Sequence, residues 1–250
     1  MLEISQKSTN NTNKNNMKLL FPKPLVPGKL IKRYKRFLAD VTLETGEIVV
    51  AHCTNSGSMK SCIEEGAEVY LTHVNDPKRK TQYTWEMIKI NGNWIGINTM
   101  MPNMIAHEWV KKGIIPGFEK FTNFRREVTY DDSRFDIMAE NDKERCFIEV
   151  KNVTMKEGDF ARFPDAKTTR GQKHLQTLIK VKENGMRAVM LYIIQRTDVD
   201  TFAPAWDIDP IYGKLLVEAH AAGVEIIAFQ VKVSPEGFSP MGIMPVDLAH

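Results

Sequence analysis

The 250-residue chain has no apolar run of 18 or more residues, so no segment is long enough to cross a bilayer as a helix. It has no Walker loop and no G-x-G-x-x-G, the usual sequence signs of a nucleotide cofactor. Its first sixteen residues, "MLEISQKSTNNTNKNN", are almost free of apolar side chains and lack the apolar core of an export signal. They are expected to form a disordered extension. Cysteine is scarce: the three present cannot all pair with one another, and without an export signal a reduced, cytoplasmic chain is expected. His52, Cys53 and Cys62 offer only three zinc-type ligands and no C-x-x-C pair, which excludes a structural zinc site.

What is present, 42% hydrophobic and 26% charged residues, describes a soluble globular protein of one or two domains. The net charge of +3 is uneven. Residues 1–100 hold 14 Lys/Arg against 9 Asp/Glu, and the remaining 150 hold 20 against 22. An anionic partner would meet the first hundred residues first, although so modest an excess also suits an ordinary solvated surface.

Between Leu30 and Thr99 short alternating stretches dominate: "KRYKRFLADVTL", "GEIVVAHC", "AEVYLTHV", "QYTWEMIKI" and "NWIGINT". The Asn-Gly inside "NGN" joins the last two as a hairpin. Five antiparallel strands in about 70 residues predict a small OB-fold-like barrel, assigned to residues 17–100. From residue 101 to 250 helix and strand alternate. "PNMIAHEWVKKG" reads as a helix with Asn103 as cap and Gly113 past its end. "RREVTY", "SRFDIMAE" and "RCFIEVKNV" read as a meander, followed by the helix "TTRGQKHLQTLIKVKENG" and the buried strand "RAVMLYIIQ". The helix "DPIYGKLLVEAHAAG" and the strand "VEIIAFQVKV" complete an α/β domain on a mixed sheet.

The strand "CFIEVKNVT" poses a physical problem. Alternation sends Phe147, Glu149 and Lys151 to one face of an otherwise apolar strand. Burying opposite charges costs several kcal/mol unless something compensates, so this is either a solvated edge strand or a reaction centre. Asp136, thirteen residues before Glu149 on the preceding strand, can reach the same place across a tight hairpin. Two carboxylates so placed can hold a divalent cation such as Mg²⁺, and Lys151 can orient a water and stabilise charge on a phosphate.

An acid followed a dozen or so residues later by Glu-x-Lys on the neighbouring strand resembles the PD-(D/E)xK nuclease superfamily, whose α-β-β-β-α-β core is the order read here. That resemblance implies Mg²⁺ or Mn²⁺ on Asp136 and Glu149, Lys151 at the water, and Glu108 of the first helix as a further carboxylate. A closer resemblance runs from about Leu30 to Val246. "RYKRFLADV", "NDPKRKTQYTW", "SRFD", "EVKNVT", "FPDAKTTRGQKHL" and "QR" are similar to the sugar fermentation stimulation protein A family, SfsA. "HCTNSGSM" departs from that family's usual pattern but keeps Asn55, Gly57 and Met59. The family implies an OB-like first domain, a nuclease-like second domain, and DNA binding tied to regulation of sugar metabolism.

Further candidates follow. "RGQKH" opens a helix beside the expected metal site, where Arg170 and Lys173 can hold phosphate, Gln172 can position water and His174 can donate a proton. The alternative is a basic solvated helix start. In "KRYKR" and "PKRK", Arg33, Lys35, Arg36, Lys78, Arg79 and Lys80 can track phosphate while Tyr34, Phe37, Tyr83 and Trp85 either stack on bases or fill the core. The expected partner is DNA, possibly single-stranded nucleic acid, and no membrane. Two functions stay open at this point: a metal-dependent nuclease, or a non-catalytic DNA-binding regulator of sugar metabolism genes with a relict site.

Overall fold

The computed structural model describes residues 17–249, so the extension expected at residues 1–16 lies outside the described residues. Six strands build the first domain: β1 (Leu25–Tyr34), β2 (Leu38–Leu43), β3 (Ile48–His52), β4 (Glu68–His73), β5 (Tyr83–Ile90) and β6 (Asn93–Gly96). They run β3-β2-β1-β4-β5-β6, and a parallel β3–β5 pairing closes the first five into the expected barrel. Trp85, Val41, Leu71 and Ile95 fill its interior. "KRYKRFLADVTL" is two strands and not one. Lys35 and Arg36 form a turn between them with φ of 46° and 65°, and Asn91-Gly92 makes the other tight turn as expected, at 48° and 79°.

The second domain carries a six-stranded mixed sheet in the order β15-β14-β12-β9-β8-β7. Its strands are β7 (Asn123–Tyr130), β8 (Ser133–Glu140), β9 (Arg145–Val153), β12 (Arg187–Ile194), β14 (Glu225–Ser234) and β15 (Gly237–Met244). A small second sheet, β10 (Met155–Glu157), β11 (Phe160–Phe163) and β13 (Thr201–Pro204), was not legible as strands. Helix α1 (Met101–Lys111) packs on the face that carries Ile148 and Val150, and α2 (Thr169–Glu183) and α3 (Pro210–Ala221) cover the face that carries Phe147. The alternation expected of β9 therefore holds. β9 lies between β12 and β8, and Glu149 is buried, so its charged pair is not a solvated edge pair. Among the described residues no helix is long and apolar enough to cross a membrane.

The first described residues join the second domain. Leu19 bridges to Phe238, and the Trp109 indole N–H donates to the Met17 carbonyl at 3.0 Å.

Two contacts lock the domains together. The Arg196 guanidinium, 1% exposed, donates to Thr154 O at 2.6 Å and to Ser61 Oγ of the barrel at 3.2 Å. It also makes a two-point pair with Asp198 at 2.7 and 2.8 Å. Gln195 O accepts from the Gly96 N–H of β6 at 3.1 Å. The "QR" pair is thus a domain clasp.

Candidate metal and phosphate site

The site begins with a break in a strand. Phe135 belongs to the core under α2 and Ile137 to the core under α1, so the alternation of β8 slips between them. On the β7 side the ladder omits the pair opposite Asp136, where Glu127 has φ 54°; on the β9 side it stops at Ile137–Ile148. Asp136 sits in that gap. Its Oδ2 accepts the Val150 N–H at 2.8 Å, and its Oδ1 accepts from Asn103 Nδ2 of α1 at 2.6 Å. Asn103 is therefore not the helix cap. Met100 occupies that position, with Pro102 in the first turn.

Glu149 is 2% exposed. Its Oε1 accepts from Lys151 Nζ at 2.5 Å and is hydrogen-bonded to His174 Nδ1. Lys151 Nζ also lies 3.4 Å from His174 Nδ1. Glu149 Oε2 is buried and has no hydrogen-bond partner in the protein. A buried carboxylate oxygen without a partner is costly unless a ligand satisfies it. Burial pushes the Glu149 carboxyl up, but Lys151 and His174 outweigh it and hold it below its usual value, so Glu149 is an anion. This is the atom a cation fits.

Asp136 differs. Burial, then the charge of Glu149, raises its carboxyl from 3.8 to about 6. A carboxyl raised on folding binds its proton more tightly folded than unfolded, so the metal-free protein loses stability as pH climbs from about 4 to about 6. Relative to wild type in EDTA, Asp136→Asn should gain stability across that window and level off above it, by on the order of 3 kcal/mol. Chemical denaturation at a series of pH values reads this; a pH-independent difference contradicts it.

Asp136, Glu149 and Lys151 line one cleft of about 540 Å³. Of the phosphate candidates, Arg36 and Arg170 line it too, joined by Lys167, Arg162, Asp165 and the loop 54–57 of the barrel. The Arg170 Nε–H points at His174 Nε2, 3.5 Å away.

The other expected residues lie elsewhere. Glu108 pairs with His107 at 3.4 Å and Lys112 at 3.9 Å on the outer side of α1. At 3.6 residues per turn it is turned about 140° from Asn103, which is the residue α1 does bring to the site. Gln172 donates to both oxygens of Asp209, the α3 cap, at 2.9 and 3.0 Å, so it splices two helices together and does not position water. Lys173 pairs with Asp132 at 3.0 Å on the surface. Arg33 donates to Asn55 O and Gly57 O at 2.9 and 3.0 Å and to Arg36 O at 3.0 Å, so it braces the loop and the turn.

At the barrel rim Lys35, Lys78 and Lys80 are exposed, and Arg79 lies against Thr84 Oγ1 at 3.3 Å. Tyr34 is half-buried under Lys32, whose Nζ is 5.6 Å from the ring centre. Trp85 is core, whereas Phe37 is exposed and stacked on His52 at 6.4 Å.

Asp165 of "FPDA" was not singled out from the sequence. Its Oδ2 faces the Met59 N–H at 3.5 Å, and a Cβ on Gly57 would lie 1.9 Å from that same oxygen. Only glycine at 57 allows so close an approach. The signal was the pairing of "NSGSM" with "FPDA", two motifs about a hundred residues apart whose contact only the fold reveals.

Comparison with known proteins gives a consistent result. The model of the SfsA N-terminal OB domain matches residues 31–97, and that of the sugar fermentation stimulation protein RE domain matches residues 100–237. A sugar fermentation stimulation protein homolog of Geotalea uraniireducens is 50% identical over 226 residues, covering 90% of this chain and 98% of the relative. The homolog from a Synechococcus strain is 46% identical over 226 residues, 90% of this chain and 95% of its own. The structure of Pyrococcus furiosus SfsA in complex with Ca²⁺ superposes with a TM-score of 0.84 at 30% identity, covering 92% of this chain and 99% of that one.

Proposed function

The chain belongs to the sugar fermentation stimulation protein family, and from that premise we propose that it binds DNA and hydrolyses its phosphodiester bonds with a divalent cation. One observation carries the reading: the unpartnered, buried Oε2 of the ionised Glu149 beside Asp136. Among the described residues no group of three or more His, Cys, Asp or Glu converges on a metal position. Two carboxylates suit Mg²⁺ or Mn²⁺, since Mg²⁺ keeps several waters and takes one or two carboxylates plus substrate phosphate. That the P. furiosus relative is described in complex with Ca²⁺, another oxygen-seeking cation, supports an all-oxygen site.

Glu149 and Asp136 would hold the cation, which when bound supplies charge neutralisation at the phosphate and a more acidic water. Lys151 stands 2.5 Å from Glu149 Oε1, placed to orient that water and to face the charge that develops on phosphate. His174, buried behind Glu149, fixes the carboxylate so that Oε2 is the free oxygen. Arg36, Lys167 and Arg170 around the cleft give the strand's phosphates their counter-charges.

Asp136→Asn and Glu149→Gln should each remove most of the affinity for Mn²⁺ in calorimetry. Wild-type titration curves from both variants would place the cation elsewhere. The function itself is tested by incubating linear, nicked and single-stranded DNA with Mg²⁺, Mn²⁺ or EDTA. Cleavage with either metal and none in EDTA is expected. DNA binding without cleavage of any substrate would favour the regulator with a relict site.

A further inference from the structure

We propose that the cleft accepts nucleic acid only as an unstacked strand, either single-stranded or a frayed end, and excludes intact duplex. The inference rests on the phosphodiester reading and adds the form of its substrate. The metal pair lies between two domains, not on an open face. Arg36 and Ser56 of the barrel stand on one side, and Lys167 and Arg170 on the other. The cleft holds about 540 Å³, and an intact B-DNA duplex, whose major groove alone spans about 12 Å, does not fit inside such a space. Pockets of about 300–1,000 Å³ enclose molecules of drug size, and a single nucleotide is of that size.

The barrel-side wall is fixed. Arg33 ties the 35–36 turn to the Asn55 and Gly57 carbonyls, and Gly57 packs without clearance on Asp165 of the opposite domain. The Arg196 clasp holds the same two domains together behind it. Widening the cleft enough for a duplex would break these contacts at once. An unstacked strand needs no such opening, and Arg36, Lys167 and Arg170 around the cleft can hold its phosphates.

The test compares an oligodeoxynucleotide of about a dozen residues with a hairpin-closed duplex of the same sequence, each carrying 2-aminopurine. Anisotropy is measured with Ca²⁺ present. The single strand should bind at least about tenfold more tightly, with the rise in 2-aminopurine fluorescence that accompanies unstacking. Ser56→Trp, which fills the cleft mouth at an exposed position away from the metal pair, should abolish that preference and leave Mn²⁺ titration unchanged. Equal or tighter binding of the closed duplex overturns the inference, as does an undiminished preference in Ser56→Trp. A parallel Mn²⁺ incubation separates the two claims. Failure to cleave, with the single-strand preference intact, overturns the hydrolytic reading alone.

Discussion

Lys151→Met should lower metal-dependent cleavage by a factor of about a hundred or more while leaving DNA affinity near that of wild type. The change keeps an unbranched side chain, one atom shorter, and removes the charge with its donors. Those lie 2.5 Å from Glu149 Oε1, inside a site where Lys151 is 13% exposed. Loss of positioning and of transition-state charge stabilisation is worth about 3 kcal/mol, which is the hundredfold factor. The alternative is a purely structural pair. A surface pair would contribute about 0–1 kcal/mol, but this one is buried, and breaking a buried pair costs about 3–5 kcal/mol. Denaturation and cleavage therefore have to be measured on the same variant. His174 still holds Glu149 after the change, so the loss of stability should fall below that range while the loss of rate remains. Undiminished cleavage by a folded Lys151→Met protein would contradict a catalytic lysine.

Arg196→Leu should have the largest effect on stability, a loss of about 3–5 kcal/mol. The guanidinium is nearly inaccessible and satisfies acceptors from both domains. Asp198 depends on it: burial pushes its carboxyl up, but hydrogen bonds from Arg196, then Lys156, outweigh burial and bring it down to about 2. Leucine would leave Thr154 O with only Ser61 Oγ and Cys62 Sγ, both at 3.3 Å, and Asp198 with only Lys156. Urea denaturation reads the effect, and a loss under about 1 kcal/mol would mean that the clasp does not couple the domains.

The fold was legible wherever period and turn chemistry agreed. "CFIEVKNVT" alternates without interruption, and its two cores divide Phe147 from Ile148 and Val150 as the period requires. "NGN" carried its hairpin in two residues of positive φ. In "KRYKR" the turn was hidden because Lys35 and Arg36 take positive φ without glycine, a conformation no residue type there announces. β13 and β15 contain Pro204 and Pro240, which weaken any strand signal.

The closeness of Asp136, Glu149 and Lys151 was legible because spacing on a hairpin translates directly into proximity. Its neighbours were not. Asn103 looked like a cap because a residue that caps a helix and one that donates to a distant carboxylate are chemically the same. Gln172 and Lys173 sit next to His174 in sequence, but a helix turns each residue about 100° from the last, so only Arg170 and His174 face the cleft side together. Arg33 counted as one more surface cation until the fold showed that it braces loop 55–57.

The central claim concerns one atom, Glu149 Oε2, and crystals grown with Mn²⁺ test it most directly through anomalous scattering. The account predicts a single strong peak in the cleft, bonded to Glu149 Oε2 and an oxygen of Asp136, with waters completing its shell and Lys151 Nζ within reach of one of them. A cleft without that peak at saturating Mn²⁺, or a cation held by other residues while Oε2 remains unbound, would contradict it.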